Sequence, residues 1–362
     1  MGPVSRLNLR KLCIQSTGAT AAGLIRRRSP RALRVGRSLS RHRESGWFEL
    51  SGDATLLDGM VFVERRQYWM GSDSHYPEEA PSREVVVDAF WIDQTPVTNR
   101  QFSRFVDETR YITNAERAPD PNDYPGIAPE MIRPGSLVFW PSAAVVDLGD
   151  PFAWWAFVFG ADWRHPRGPA SDIADRMDHP VVHVAYADAA AYAAWAGKSL
   201  PTEAEWECAA RGGLDRAEFA WGAVLEPRGR RMANYWRGRF PFDHADGSEV
   251  RGTSPVATYP ANGFGLYDMI GNVWEWTQDW FGAAAGGGSK GCCVPRNPRG
   301  GEEVGSRDPS APDLLIGRRV LKGGSHLCAE NYCRRYRPSA RHPQPIDTST
   351  SHVGFRCVRR QR

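Results

Sequence analysis

The chain has 362 residues, with 46 basic and 42 acidic side chains, 14 Trp, 36 Gly and 27 Pro. That length suits one large domain or two ordinary ones, and no apolar run approaches the roughly 20 residues that cross a bilayer. The net charge of +4 is no argument for a nucleic-acid partner: residues 1–43 hold 11 Lys or Arg and no acid, and the rest carries 35 basic against 42 acidic residues, a net of −7.

Residues 1–46 read as a disordered basic extension, with a catalytic domain over 47–362. The extension is Arg-rich and acid-free, as transit peptides are. The chain's 42 Arg against 4 Lys point instead to a GC-rich gene with spurious upstream codons. The uninterrupted apolar stretch of a secretory signal is missing. Seven cysteines are an odd number, which argues against a disulfide framework. Reduced thiols in the cytoplasm are the expectation.

In chain order, Met60 to Gly71 and Arg83 to Asp93 are rich in β-branched and aromatic residues and predict two strands around a polar turn. Thr98 and Gln101 form a capping box, and Phe102, Phe105 and Val106 mark the apolar face of the helix that follows. Residues 117–180 show no periodicity among their Pro, Gly and Trp and predict loop pinned by aromatics. Asp188 to Ala196 predicts a helix closed by Gly197. Thr202 and Glu205 cap another that contains Cys208 and stops at Gly212-Gly213. Cys208 reads as a small buried apolar residue. Beyond residue 220 turns and short strands are expected, with a flexible loop at Ala283 to Gly291 and free thiols at Cys292 and Cys293.

Two constellations carry chemistry. Cys328 and Cys333 stand five apart, wider than a zinc knuckle, and no second Cys or His pair lies nearby at zinc-ligand spacing. Two thiolates alone suit a soft monovalent ion such as Cu(I), and Arg334, Arg335 and Arg337 would favour the thiolate form. A redox-active disulfide or two unrelated core cysteines remain open on spacing alone. His326 and His352 are more plausible as hydrogen-bonding residues than as ligands. In the second constellation, Asp268 and Glu275 flank a tight loop whose Gly271 and Val273 carbonyls could complete an oxygen cage for Ca²⁺. An aromatic turn capped by two acids explains the same residues.

The motifs GLYDMIGNVWEW, LPTEAEWECAARGG, HPVVHV, GGSHLCAENYCRRYR and GFRC, spread over roughly residues 58–358, resemble the formylglycine-generating enzymes of the sulfatase-modifying factor family. GNVWEW is shared widely in that superfamily; the cysteine pair marks its catalytic, copper-dependent branch. The resemblance implies a single loop-rich α+β domain of the C-type-lectin-like kind. It implies an oxidase that converts the cysteine of a Cys-x-Pro-x-Arg motif, in an unfolded sulfatase segment, to Cα-formylglycine with O₂ and a thiol-type reductant. It also implies Cu(I) held by Cys328 and Cys333, with Ser325, Tyr332 and Trp274 around the pocket. Calcium would sit at Asp268, Gly271, Val273 and Glu275, and at a second, less complete site at Asn234 and Tyr235. The remaining acidic ligand of that second site has no clean counterpart: Ser248 falls at its position, and Asp246 is two residues away. A monomer with neither nucleic acid nor membrane as partner is expected. Ala193 and Ala210 stand where secretory members carry disulfide cysteines, leaving Cys357 as a buried spare and favouring a cytoplasmic enzyme.

Two other readings share the scaffold. An iron-dependent sulfoxide synthase needs a His-x3-His-x-Glu set, which His165, His179 and His183 do not form by spacing. A non-catalytic lectin-like module would lack the cysteine pair.

Overall fold

The computed structural model describes residues 57–244, 252–282 and 294–361. The basic extension, Trp47, Asp246, Ser248, the Ala283 to Gly291 loop and Cys292-Cys293 lie outside the described residues.

Each of the first two predicted strands is broken into a pair. Strands β1 (Met60–Val63) and β4 (Phe90–Asp93) pair antiparallel, and so do β2 (Arg66–Met70) and β3 (Arg83–Val87), but in separate sheets. The breaks fall at Glu64-Arg65 and Asp88-Ala89, where charged and small residues interrupt the apolar alternation. Strand β11 (Val358–Arg360) adds to the free edge of β4, so the two ends of the described domain meet in one sheet, ordered β1-β4-β11.

Helix α1 (Asn99–Thr109) begins at the predicted box: the Gln101 amide donates to Thr98 Oγ1 at 3.3 Å, and the Thr98 amide donates to Gln101 Oε1 at 2.8 Å. Its apolar face sets Phe102 and Phe105 against Tyr192 and Trp195 of helix α2 (Tyr186–Trp195), and against Trp163 and Phe355. Helix α2 starts two residues before the predicted Asp188, because that carboxylate reaches back to the Ala185 amide at 2.8 Å. The region read as loop contains a hairpin, β5 (Gly135–Phe139) with β6 (Trp155–Phe159). Its strands are short and separated by fifteen irregular residues, and no alternation of polar with apolar marks them.

Strands β7 (Trp274–Trp280), β8 (Arg318–Lys322), β9 (Arg341–Pro345) and β10 (Val353–Gly354) form a four-stranded sheet ordered β10-β7-β8-β9. Pro343 and Pro345 are admitted to β9 because it is an edge strand. The cysteine stretch is the connection between β8 and β9. It is closed at its base where Lys322 pairs with Arg341. Two like charges directly opposite each other repel, and helix α3 (Glu203–Arg211) cancels them: Glu207 accepts from Lys322 Nζ at 2.9 Å, and Glu203 takes Arg341 at 2.8 Å. The acids of α3 therefore set the mouth of the loop that holds the cysteines.

Candidate active site

Gly323 and Gly324 open the cysteine loop with φ of 92° and 70°. A Cβ on Gly324 would come within 2.7 Å of the Arg335 carbonyl, so only glycine lets the two arms of the loop run side by side. Between them the chain makes two tight turns. The Cys328 amide donates to the Ser325 carbonyl at 3.0 Å, and the Cys333 amide donates to the Ala329 carbonyl at 3.0 Å. The second turn carries Cys333 back over Cys328, with the sulfurs 3.2 Å apart.

That separation is longer than a disulfide of about 2.05 Å and shorter than two metal–sulfur bonds of about 2.3 Å laid end to end. It is a hydrogen-bonding distance between two sulfurs. Burial pushes the Cys328 thiol well up. The hydrogen bond from Cys328 brings Cys333 down to about 6, with the Arg335 guanidinium 3.9 Å away adding to it. Of the three arginines expected to favour the thiolate, only Arg335 faces the sulfur. Arg334 is paired with Glu218 at 2.6 Å, and Arg337 is buried against Glu79 at 2.7 Å. Arg335 is itself held by Glu78 at 2.6 Å and by the Tyr76 ring at 3.8 Å. Two free sulfurs so arranged, one of them acidified, fit a soft monovalent ion.

The other expected pocket residues converge on the pair. Ser325 is fully buried; its amide points at Cys328 Sγ at 3.4 Å, and its hydroxyl accepts from the Leu327 amide at 3.2 Å. Tyr332 stacks on Phe240 at 4.6 Å and meets Trp154 edge-on at 5.4 Å. Trp274 faces the His342 ring at 5.6 Å. Together with Leu137, Trp155, Leu327, Gln344, Thr350 and His352, these residues enclose a cavity of about 60 Å³ over the sulfurs. Sequence reasoning did not identify His342, Gln344, Trp154 or Phe240. His342 and Gln344 alternate along β9 and so share one face of it. Their signal was hidden by the prolines, which argue against a strand. Burial holds His342 at about 3, so this wall is uncharged at neutral pH.

The calcium expectations divide. Asp268 is buried, its Oδ2 accepts from the Ala257 amide at 2.8 Å, and its Oδ1 has no partner among the described residues. Burial pushes that carboxyl up to about 6, and an orphaned carboxylate oxygen fits a hard cation. Glu275 is less available, since Arg356 takes it at 2.7 and 2.8 Å and Trp206 Nε1 donates to it at 2.7 Å. Gly271 brings this loop against Asn234, whose carbonyl a Cβ there would meet at 2.4 Å. At Asn234 and Tyr235 a side-chain cation approaches two of the expected donors. The Arg231 guanidinium donates to the Tyr235 carbonyl at 2.5 Å and lies 3.4 Å from Asn234 Oδ1.

The lone histidines behave as hydrogen-bonding residues. His326 bonds the Asn272 carbonyl at 2.8 Å and His352 the Thr350 hydroxyl at 2.5 Å. His183 is enclosed by Ser136 Oγ at 2.7 Å and the Pro166 carbonyl at 2.9 Å. Among the described residues no three His, Cys, Asp or Glu side chains form a metal-binding group, so the iron set of a sulfoxide synthase is not formed there. Cys208 and Cys357 are buried free thiols.

A loop-rich α+β scaffold that folds one strand connection back to set two free thiols on the floor of a narrow aromatic cavity defines a thiol-centred enzyme. The chain matches the family described as "Sulfatase-modifying factor enzyme 1-like domain" over residues 48–361. It is 52% identical over 305 residues to the formylglycine-generating enzyme of Mycobacterium tuberculosis, covering 84% of this chain and 98% of that protein. It is 44% identical to that of Thermomonospora curvata, covering 84% and 94% of the two chains. The solved structure of PvdO from Pseudomonas aeruginosa superposes with a TM-score of 0.54 at 21% identity, over 83% of this chain and 94% of that one, which shows the shared fold. The chain belongs to the sulfatase-modifying factor family, among relatives named formylglycine-generating enzymes.

Proposed function

We propose that this chain is a copper-dependent oxidase that converts the cysteine of a Cys-x-Pro-x-Arg segment in a sulfatase to Cα-formylglycine. The single observation that carries the reading is the pair of free cysteine sulfurs, 3.2 Å apart, at the floor of an aromatic-walled cavity. In the balanced reaction, one cysteine thiol, one O₂, two electrons and two protons give one aldehyde, one hydrogen sulfide and one water. The two electrons are drawn from a thiol-type reductant. Cys328 and Cys333 would hold Cu(I), which when bound supplies an open soft site for sulfur and O₂.

The protein's own groups do the positioning. Arg335 steadies the negative charge on Cys333, and the Ser325 amide points at the Cys328 sulfur. Trp274, Trp154 and Tyr332 narrow the cavity, which has room for a cysteine side chain and small molecules. A substrate arginine four residues beyond the cysteine would lie about 13 Å away along an extended chain. The neighbouring cavity shares the Leu137 wall and exposes Asp120 and Asp123, which suit a guanidinium. Asp268, with the Gly271 and Val273 carbonyls, would hold one structural Ca²⁺.

All four cysteines among the described residues are free, in keeping with a monomer working in the cytoplasm. No helix among the described residues is long and apolar enough to cross a membrane. The deciding experiment incubates a Cys-x-Pro-x-Arg peptide with copper-loaded protein and follows the mass change from thiol to aldehyde. Peptide recovered wholly as thiol would refute the assignment.

A further inference from the structure

His352 lines the thiol cavity and is half-buried there. Its ring is fixed on two sides: Trp155 lies tilted against it at 4.8 Å, and Nδ1 stands 2.5 Å from Thr350 Oγ1. Thr350 is only 2% exposed, and Nδ1 is the one acceptor its hydroxyl reaches among the described residues. A buried hydroxyl proton without an acceptor is costly, so the hydroxyl donates and Nδ1 accepts. Burial holds His352 well below the ordinary histidine value. The ring is therefore neutral at neutral pH and carries its single proton on Nε2.

That Nε2–H bonds nothing among the described residues. Unlike Trp154 Nε1 and Gln344 Nε2 in the same wall, it is not sealed from solvent. It is a fixed donor, open to an incoming molecule. The segment that carries it leads away from the sulfurs. Thr350 bridges Leu137 of β5, and Leu137 also lines the neighbouring cavity with Asp120 and Asp123. A peptide whose cysteine lies over the sulfurs and whose arginine reaches those acids passes over this strip. Whatever its side chains, it brings carbonyl oxygens that need donors. The Arg335 guanidinium is already turned to Cys333 and Glu78, which leaves the imidazole to meet the main chain.

We propose that His352 Nε2–H donates a hydrogen bond to a substrate main-chain carbonyl beside the reacting cysteine, and so fixes the peptide against this wall. The inference rests on the oxidase reading above and adds a substrate-binding residue to it. No covalent step is involved, and the imidazole keeps its proton.

The test measures binding of a Ser-x-Pro-x-Arg peptide, which has no thiol to oxidise, to the full chain by titration calorimetry. His352→Phe keeps a planar ring and removes the donor, and should weaken binding by about tenfold. His352→Gln sets an amide N–H close to the position of Nε2 and should return affinity to within about threefold of wild type. The loss in H352F should be equal for peptides that differ at the x positions, because a carbonyl is read and not a side chain. Nitrogen NMR of histidine-labelled wild-type protein should show the His352 proton on Nε2, with a signal that moves when peptide is added. Wild-type affinity in H352F overturns the inference. So does a Gln variant as weak as the Phe variant, a loss confined to one peptide sequence, or a proton found on Nδ1. Wild-type protein that binds the serine peptide but forms no aldehyde from the cysteine peptide refutes the oxidase reading, while the binding results still decide this contact.

Discussion

Two buried polar regions lie on either side of β7 and β8, and they are built on opposite principles. Under α3, every charge is matched. Glu207 takes Lys322, Arg211 and the Gly71 amide, while Glu275 takes Arg356 and Trp206. Arg356 directs its remaining donors to the carbonyls of Asp93 and Tyr267. Around the thiols, Cys328 and Arg335 pull the Cys333 thiol down, and the walls are aromatic. A fully satisfied network rigidifies a fold. A cavity with aromatic walls over two free thiols is instead available to a ligand. The difference identifies the α3 side as scaffold and the β9 side as reactive, without reference to any relative.

The contrast can be broken at several points. The largest effect should come from Cys328→Ala or Cys333→Ala: peptide conversion followed by mass spectrometry falls by about a thousandfold or more, while the urea midpoint stays near wild type. Turnover at the wild-type rate in either variant would remove the copper pair from the mechanism. On the scaffold side, Arg356→Met leaves Glu275 buried and unpaired, and should cost about 3–5 kcal/mol in denaturant unfolding. A loss under about 1 kcal/mol, on the scale of an exposed ion pair, would mean that this network does not hold the fold together.

A third break is by acid. Burial holds His183 at about 4, below its ordinary 6.5. Between those values the unfolded chain binds the proton and the folded one does not. Stability from this group is therefore complete above pH 6.5 and is lost as pH falls toward 4, by about 3 kcal/mol in all. His183→Asn, which tolerates the left-handed φ of 59° at this position, should flatten that part of the stability-against-pH curve. An unchanged slope would assign the acid sensitivity to other groups. The smallest effect concerns calcium. Chelation should lower the melting temperature by a few degrees, about 1–3 kcal/mol of linkage, and Asp268→Ala should abolish the response. Wild-type protein whose melt ignores chelator has no structural ion at Asp268.

Much of this was legible in the sequence. The capping boxes at Thr98 and Thr202 and the helix stop at Gly212 are local chemistry, written within four residues, and they appear where expected. The cysteine pair, Ser325, Tyr332 and Trp274 come together in one cavity as the motifs implied. The β5–β6 hairpin was missed because its strands are short, separated by fifteen residues, and carry no alternation. The split of the first two strands was missed because two or three residues suffice to turn a strand from one sheet into another.

What the sequence determined by itself is therefore what depends on neighbours along the chain: helix starts and stops, the charge imbalance of the first 43 residues, and a spacing of cysteines that suits a soft ion. Only the tertiary structure decided which arginine faces the Cys333 sulfur, that Arg231 lies beside Asn234 and Tyr235, and that His342 and Gln344 of β9 line the cavity. The reason is physical. A capping box is satisfied within one turn of the chain. Whether a buried charge or amide is paired depends on side chains contributed from strands and loops up to hundreds of residues away, and those meet only when the whole domain closes.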